Sequence, residues 1–186
     1  ARYLRCTKVP SLLFSNSCEV DKHVALVVKS LIRENNSAGL QTVLGLPTGS
    51  TPIGVYRELI RLHTEEDLDF SQVITFNLDE YYPMDPDSIH SYNRWMRETL
   101  FDHVNIREEN IHIPQGTIAR DEVDAFCDAY ERAIEKAGGI QLQILGIGRT
   151  GHIGFNEPGS ARNSATRLVT LDPVTRRDAS GDFFGE

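Results

Sequence analysis

Thr42-Val43-Leu44-Gly45-Leu46-Pro47-Thr48-Gly49-Ser50-Thr51-Pro52 decides the fold. Its first half, Thr42–Leu46, is a short apolar run that Pro47 ends. Its second half is a turn of small and hydroxyl residues leading into Ile53–His63, where Val55, Leu59, Ile60 and Leu62 give one apolar side. A short apolar strand, a turn and an amphipathic helix make up one half-unit of a parallel α/β sheet.

The same alternation recurs to either side. Val20–Glu34 places Val20, Val24, Val27, Val28 and Leu31 at helical spacing, and Val73–Leu78 reads as a second strand. Ser91–Leu100 reads as a helix, Val104–Ile113 as a loop or an edge strand, and Glu122–Ala137 as an amphipathic helix. Leu142–Ile147, apolar except for Gln143, is a third strand. Near-continuously apolar strands separated by helices belong to a parallel sheet covered on both faces. The expected fold is therefore α/β: a doubly wound, mostly parallel, Rossmann-like sheet with helices on both faces. It forms a single domain over residues 1–186.

Composition narrows the function. The chain has 186 residues, 40% of them hydrophobic and 25% charged, with a formal net charge of −8 and no run of Lys or Arg. That field repels a polyanion, so no nucleic acid partner is expected, while a small anion can still be held by local backbone dipoles. Cys6, Cys18 and Cys127 are odd in number and far apart, and no CxxC or Cys/His pairing suggests a metal site. Reduced thiols and a cytoplasmic location follow. No apolar run reaches membrane length, Ser11–Asn16 being too short, so no membrane is expected.

Parallel sheets bind ligands beyond the carboxyl ends of their strands. Here three polar clusters occupy those positions. In the first, Thr48, Gly49, Ser50 and Thr51 let backbone N–H groups approach an anion; the plain alternative is an N-cap by Ser50 or Thr51. In the second, Asn77-Leu78-Asp79-Glu80-Tyr81-Tyr82, one of two adjacent carboxylates can face a pocket. Asp79 follows the strand most directly, and a solvated acidic loop is the alternative. In the third, Gly146 to Pro158, His152 sits in a glycine-rich turn with Glu157 five residues on, the make-up of an oriented acid–base imidazole. A dinucleotide fingerprint is not supported there, because no acidic residue ends a following strand in the required place.

These blocks resemble the glucosamine-6-phosphate deaminase (isomerase) family: LPTGSTP at 46–52, NLDEYY at 77–82, HSYNRWM at 90–96 and GHIGFNEPGS at 151–160, in the family's order and spacing. The related 6-phosphogluconolactonases, which are hydrolases, are similar in fold, in the cradle and in a Gly-His pair, but lack the NLDEYY and GFNEP blocks. The resemblance implies conversion of glucosamine 6-phosphate to fructose 6-phosphate and ammonia, with a small sugar phosphate as partner and neither metal nor organic cofactor. It implies Asp79 as the proton-shuttling base, His152 in ring opening, Glu157 as the group that tunes His152, and 48–51 as the phosphate contact. It leaves a homo-oligomer open.

Three departures from the family pattern are visible. Thr150, preceded by Arg149, stands where the family has an aspartate two residues before the histidine. Asp182 precedes Phe183 and Phe184 where the family has a phosphate-holding arginine, and Arg176 or Arg177 could take its place. Family members also continue beyond the length of this chain, so the domain is expected to be incomplete at its C-terminal end, with a further C-terminal domain open. An inactive sugar-binding or regulatory relative, or a lactonase-like hydrolase, is the alternative function.

Overall fold

A computed structural model describes residues 1–4 and 8–179; Cys6, Asp182, Phe183 and Phe184 lie outside the described residues. A short antiparallel hairpin, β1 (Arg2–Leu4) and β2 (Ser11–Leu13), precedes helix α1 (Ser17–Ser37). The helix begins three residues before the apolar pattern does, because the Asn16 side chain accepts from the Glu19 N–H at 3.0 Å and caps it. Then follow β3 (Thr42–Leu46), α2 (Ile53–Glu66), β4 (Val73–Asn77), α3 (Tyr92–Thr99), β5 (Ile111–His112), α4 (Val123–Lys136), β6 (Leu142–Gln143) and α5 (Pro173–Ala179).

The main sheet has the order β5-β4-β3-β6, and every pairing in it is parallel. Both central strands are buried along their whole length. The pleat sends alternate residues to opposite faces. Leu44, Leu46 and Val73 pack with Ala25, Val28 and Ile32 of α1, Tyr56, Leu59 and Leu62 of α2, and Met96 of α3. Val43, Ile74 and Phe76 pack on the other face against Tyr130, Phe126 and Ile134 of α4. The doubly wound parallel sheet anticipated from the alternating pattern is present. Residues 104–113 resolve into a two-residue edge strand after a short turn, because only Ile111 and His112 reach β4.

The third strand is a correction. Leu142–Ile147 was expected to be a strand over its whole length, yet only Leu142 and Gln143 are strand. Leu145 is 48% and Ile147 80% exposed. The physical reason is position: β6 pairs with β3 on one side, and among the described residues no strand lies along its other side. An apolar run suited to a sheet interior therefore leaves the ladder after the Ile144 N–H donates to the Gly45 carbonyl at 3.0 Å.

The two classes of apolar residue should respond differently to mutation. Leu59→Ala, at a fully buried site in the α1/α2 core, should cost about 2–5 kcal/mol in urea unfolding. Ile147→Ser should stay within about 0.5 kcal/mol. Equal losses from both would mean that residues 144–147 are buried.

Candidate active site

Because β3, β4 and β6 run parallel, the segments that leave their carboxyl ends share one edge of the sheet. Strand order proceeds from β3 to β4 to β5 and then returns to the far side of β3, so a topological switch lies between β3 and β6.

At the first segment, Gly49 has φ +91°, a conformation that turns the chain between Pro47 and helix α2 and that a side chain resists. The buried Tyr56 phenol donates to the Pro47 carbonyl and pins the start of the turn. Helix α2 has Pro52 at its N-cap, and no side-chain oxygen caps it. The capping alternative for Ser50 and Thr51 is thus not realised. Both are exposed, and the first-turn N–H groups keep their capacity for an anion.

The two adjacent carboxylates of the second segment divide their tasks. Glu80 turns back to α3, accepting from the N–H groups of Tyr92 and Asn93 at 3.0 Å each and from the Ser91 hydroxyl at 2.9 Å. It is a cap, held by the positive end of that helix. Asp79 instead meets the third segment. The Phe155 N–H donates to it, and its Oδ2 would stand 3.1 Å from a Cβ at position 154. Gly154, at φ +56°, therefore answers two needs, a left-handed turn and the approach of a carboxylate. Burial, joined by the charge of Glu80 and opposed by the Phe155 N–H, pushes the Asp79 carboxyl up to about 7. A carboxyl that changes charge near neutrality can take a proton and return it.

At the third segment, His152 Nδ1 lies 2.8 Å from Thr150 Oγ1, 3.4 Å from Thr175 Oγ1 and 3.8 Å from Glu157 Oε2. Glu157 therefore does not bond the imidazole directly; the Thr150 hydroxyl, which donates to Glu157 Oε2 at 3.2 Å, stands between them. The Thr175 hydroxyl, the Asp172 N–H and Thr150 hold the Glu157 carboxyl below the usual carboxylate range.

Aromatic side chains join the segments, and sequence reasoning assigned them no role. Tyr81 packs on Tyr92 and on Phe155 with ring centroids 4.8 and 5.1 Å apart. The Tyr92 phenol meets that of Tyr81 at 3.1 Å and hydrogen-bonds Thr48, while burial weakens its acidity and keeps it neutral. Tyr81 and Tyr92 fall within the NLDEYY and HSYNRWM blocks, the one signal that pointed to them. Asp79, Phe155, Tyr130 and Arg176 line a cavity of about 640 Å³, closed on one side by α4 and on another by residues 164–171. His152 and residues 48–51 are not part of that lining. The structure thus brings Asp79 against 154–155 and gathers His152 with Glu157, while Thr48 reaches this centre through Tyr92. Among the described residues no group of three or more His, Cys, Asp or Glu side chains is placed to hold a metal ion, and no helix is long and apolar enough to cross a membrane.

A family model described as glucosamine-6-phosphate isomerases/6-phosphogluconolactonase matches residues 15–175. The chain belongs to this family. It is 47% identical over 179 residues to a putative glucosamine-6-phosphate deaminase-like protein of Bacteroides thetaiotaomicron, covering 96% of this chain and 27% of that protein. It is 52% identical over 157 residues to a glucosamine-6-phosphate deaminase of Thermoanaerobacter, covering 84% of this chain and 60% of that enzyme. The solved structure of a monomeric glucosamine-6-phosphate deaminase superposes with a TM-score of 0.85 at 39% identity, over 90% of this chain and 67% of that one. The chain thus spans under two thirds of the length of these two curated relatives. Family membership accords with the fold and with the segments that frame the site.

The Asp79 environment makes a titration prediction. Carbon-13 NMR of labelled aspartate should show one side chain titrating near 7, absent in Asp79→Asn. Glu80→Gln removes the neighbouring negative charge, so ionisation becomes easier and that midpoint should fall. A midpoint that stayed or rose would refute the electrostatic account.

Proposed function

We propose that this chain forms a single α/β domain carrying the active site of an amino-sugar-phosphate isomerase/deaminase. The reaction converts glucosamine 6-phosphate and water to fructose 6-phosphate and ammonia. The observation that carries the reading is the Asp79 carboxyl, pushed up to about 7 where the second and third segments meet. Moving a proton from C2 to C1 of an opened sugar requires one group that is a base in one step and an acid in the next, and a carboxyl poised near neutrality can be both. In this reading His152 assists ring opening, Glu157 orients it through Thr150, and the turn at 48–51 with the uncapped start of α2 takes the phosphate. Water then replaces nitrogen at C2, and no redox step is involved.

Arg176, on the wall of the Asp79 cavity, is proposed to supply charge that the phosphate needs. A cytoplasmic setting is proposed as well; the free thiols of Cys18 and Cys127 accord with a reducing compartment. A second reading, sugar binding without turnover, draws support from Thr150 in the place where the family resemblance has an aspartate. Hydrolysis of a 6-phosphogluconolactone, which the breadth of the family description admits, is the third.

Ammonia release from glucosamine 6-phosphate by the intact protein decides among them. Asp79→Asn should lower kcat by at least about a hundredfold while calorimetric sugar binding stays within a few-fold, because shape is kept and the base removed. The rising limb of kcat/KM against pH should have its midpoint near 7, since only the ionised carboxyl accepts the proton. Normal turnover in Asp79→Asn would end the assignment. Arg176→Ala should raise KM roughly tenfold with little change in kcat if the guanidinium binds phosphate alike in ground and transition states. An unchanged KM would remove it from the site.

A further inference from the structure

We propose that Thr150 and Thr175 form a hydroxyl bridge that carries the Glu157 charge to His152 and fixes its imidazole with the proton on Nδ1 and the lone pair on Nε2. The roles of these threonines as positioning residues follow from counting protons. Each hydroxyl has one proton. Thr150 donates its own to Glu157 Oε2 at 3.2 Å, and Thr175 also hydrogen-bonds that carboxylate. Glu157 is held as an anion by these two hydroxyls and by the Asp172 N–H, which donates to Oε1 at 3.1 Å, so it has no proton to return.

With both hydroxyl protons committed to the carboxylate, His152 Nδ1 faces only acceptors: Thr150 Oγ1 at 2.8 Å, Thr175 Oγ1 at 3.4 Å and Glu157 Oε2 at 3.8 Å. A lone pair on Nδ1 would be repelled by all three, whereas an Nδ1–H donates to Thr150 Oγ1 and is attracted by the other two. Nε2 is then the proton acceptor. Its edge of the ring comes within 2.1 Å of where a Cβ would stand at Gly148, so any side chain there would collide with that nitrogen. Glycine at 148 leaves room for it.

The bridge spans two elements. Thr150 belongs to the glycine-rich segment and the buried Thr175 to α5, so the tautomer is set only when α5 is docked against that segment. A single hydroxyl between carboxylate and imidazole passes on orientation and part of the charge without a direct ion pair. It answers the question posed by the missing aspartate: the charge is present, one hydroxyl removed from the ring.

The inference rests on the deaminase reading for its kinetic consequence alone; the tautomer is independent of it. Long-range proton–nitrogen NMR on the intact, nitrogen-15-histidine-labelled protein, with His152→Gln to assign the signals, reads the tautomer at mildly alkaline pH. Wild type and Thr150→Ser should show a pyrrole-like Nδ1 and a pyridine-like Nε2. Thr150→Val should move the tautomer ratio by about tenfold toward Nε2–H, the loss expected for one hydrogen bond. In the deamination assay Thr150→Val should lower kcat roughly tenfold to a hundredfold at nearly unchanged KM, with Thr150→Ser restoring it, as for other groups that orient a working histidine. A wild-type His152 protonated on Nε2, or nitrogen shifts identical in Thr150→Val, overturns the bridge. Clear tautomer shifts with no turnover in any form uphold the bridge and sink the deaminase reading instead.

Discussion

The parallel ladder between β3 and its two neighbours is the constraint on which the rest depends. Strand β3 has no solvent-facing side: β4 and β6 flank it, and helices from both directions cover its faces. A strand so enclosed can slip its register only by moving its Leu44 and Leu46 side chains onto the α4 face, which breaks two cores at once. Register therefore holds, and with it the height at which each segment leaves the sheet. Asp79 can reach the Phe155 N–H because β4 and β6 are both set by the same central strand.

Above that ladder the site separates two carboxylates by environment. Asp79 is enclosed, near another negative charge and short of donors, and its acidity is weakened. Glu157 has hydroxyl and N–H donors on both oxygens, and its acidity is strengthened. The same functional group is thus poised to change charge near neutrality in one place and kept as a fixed charge in another, the separation that the proposed acid–base role of Asp79 needs. Glu80, the third carboxylate nearby, is withdrawn from the chemistry by its four hydrogen bonds at and before the start of α3. Its charge still bears on Asp79, so a capping residue doubles as a tuning one.

The aromatic cluster explains how separate segments keep a common geometry. Tyr81, Tyr92 and Phe155 come from the second segment, from α3 and from the third segment, and their rings meet within 4.8 to 6.0 Å. Thr48 of the first segment joins them through the Tyr92 phenol. Such packing is stiff and of short range, so it transmits position better than the polar contacts of mobile loops.

The sequence by itself determined the strand Thr42–Leu46, the second strand to within one residue (Val73–Leu78 read, Val73–Asn77 found) and the helices around them, and it pointed to the polar segments beyond the strands as the candidate site. Those features are periodic in apolarity or punctuated by glycine and proline, and such signals are local. It favoured Asp79 over Glu80 but could not show where Glu80 goes, how short the third strand is, or how Thr150 stands toward His152. Each of these depends on a partner distant along the chain or absent from the pattern: the N-terminus of α3, a neighbour for β6, and the hydroxyl of Thr175 on α5. Hydrogen bonds and burial across such separations are decided only when the sheet is assembled, because pairing energies depend on distances that no local pattern encodes.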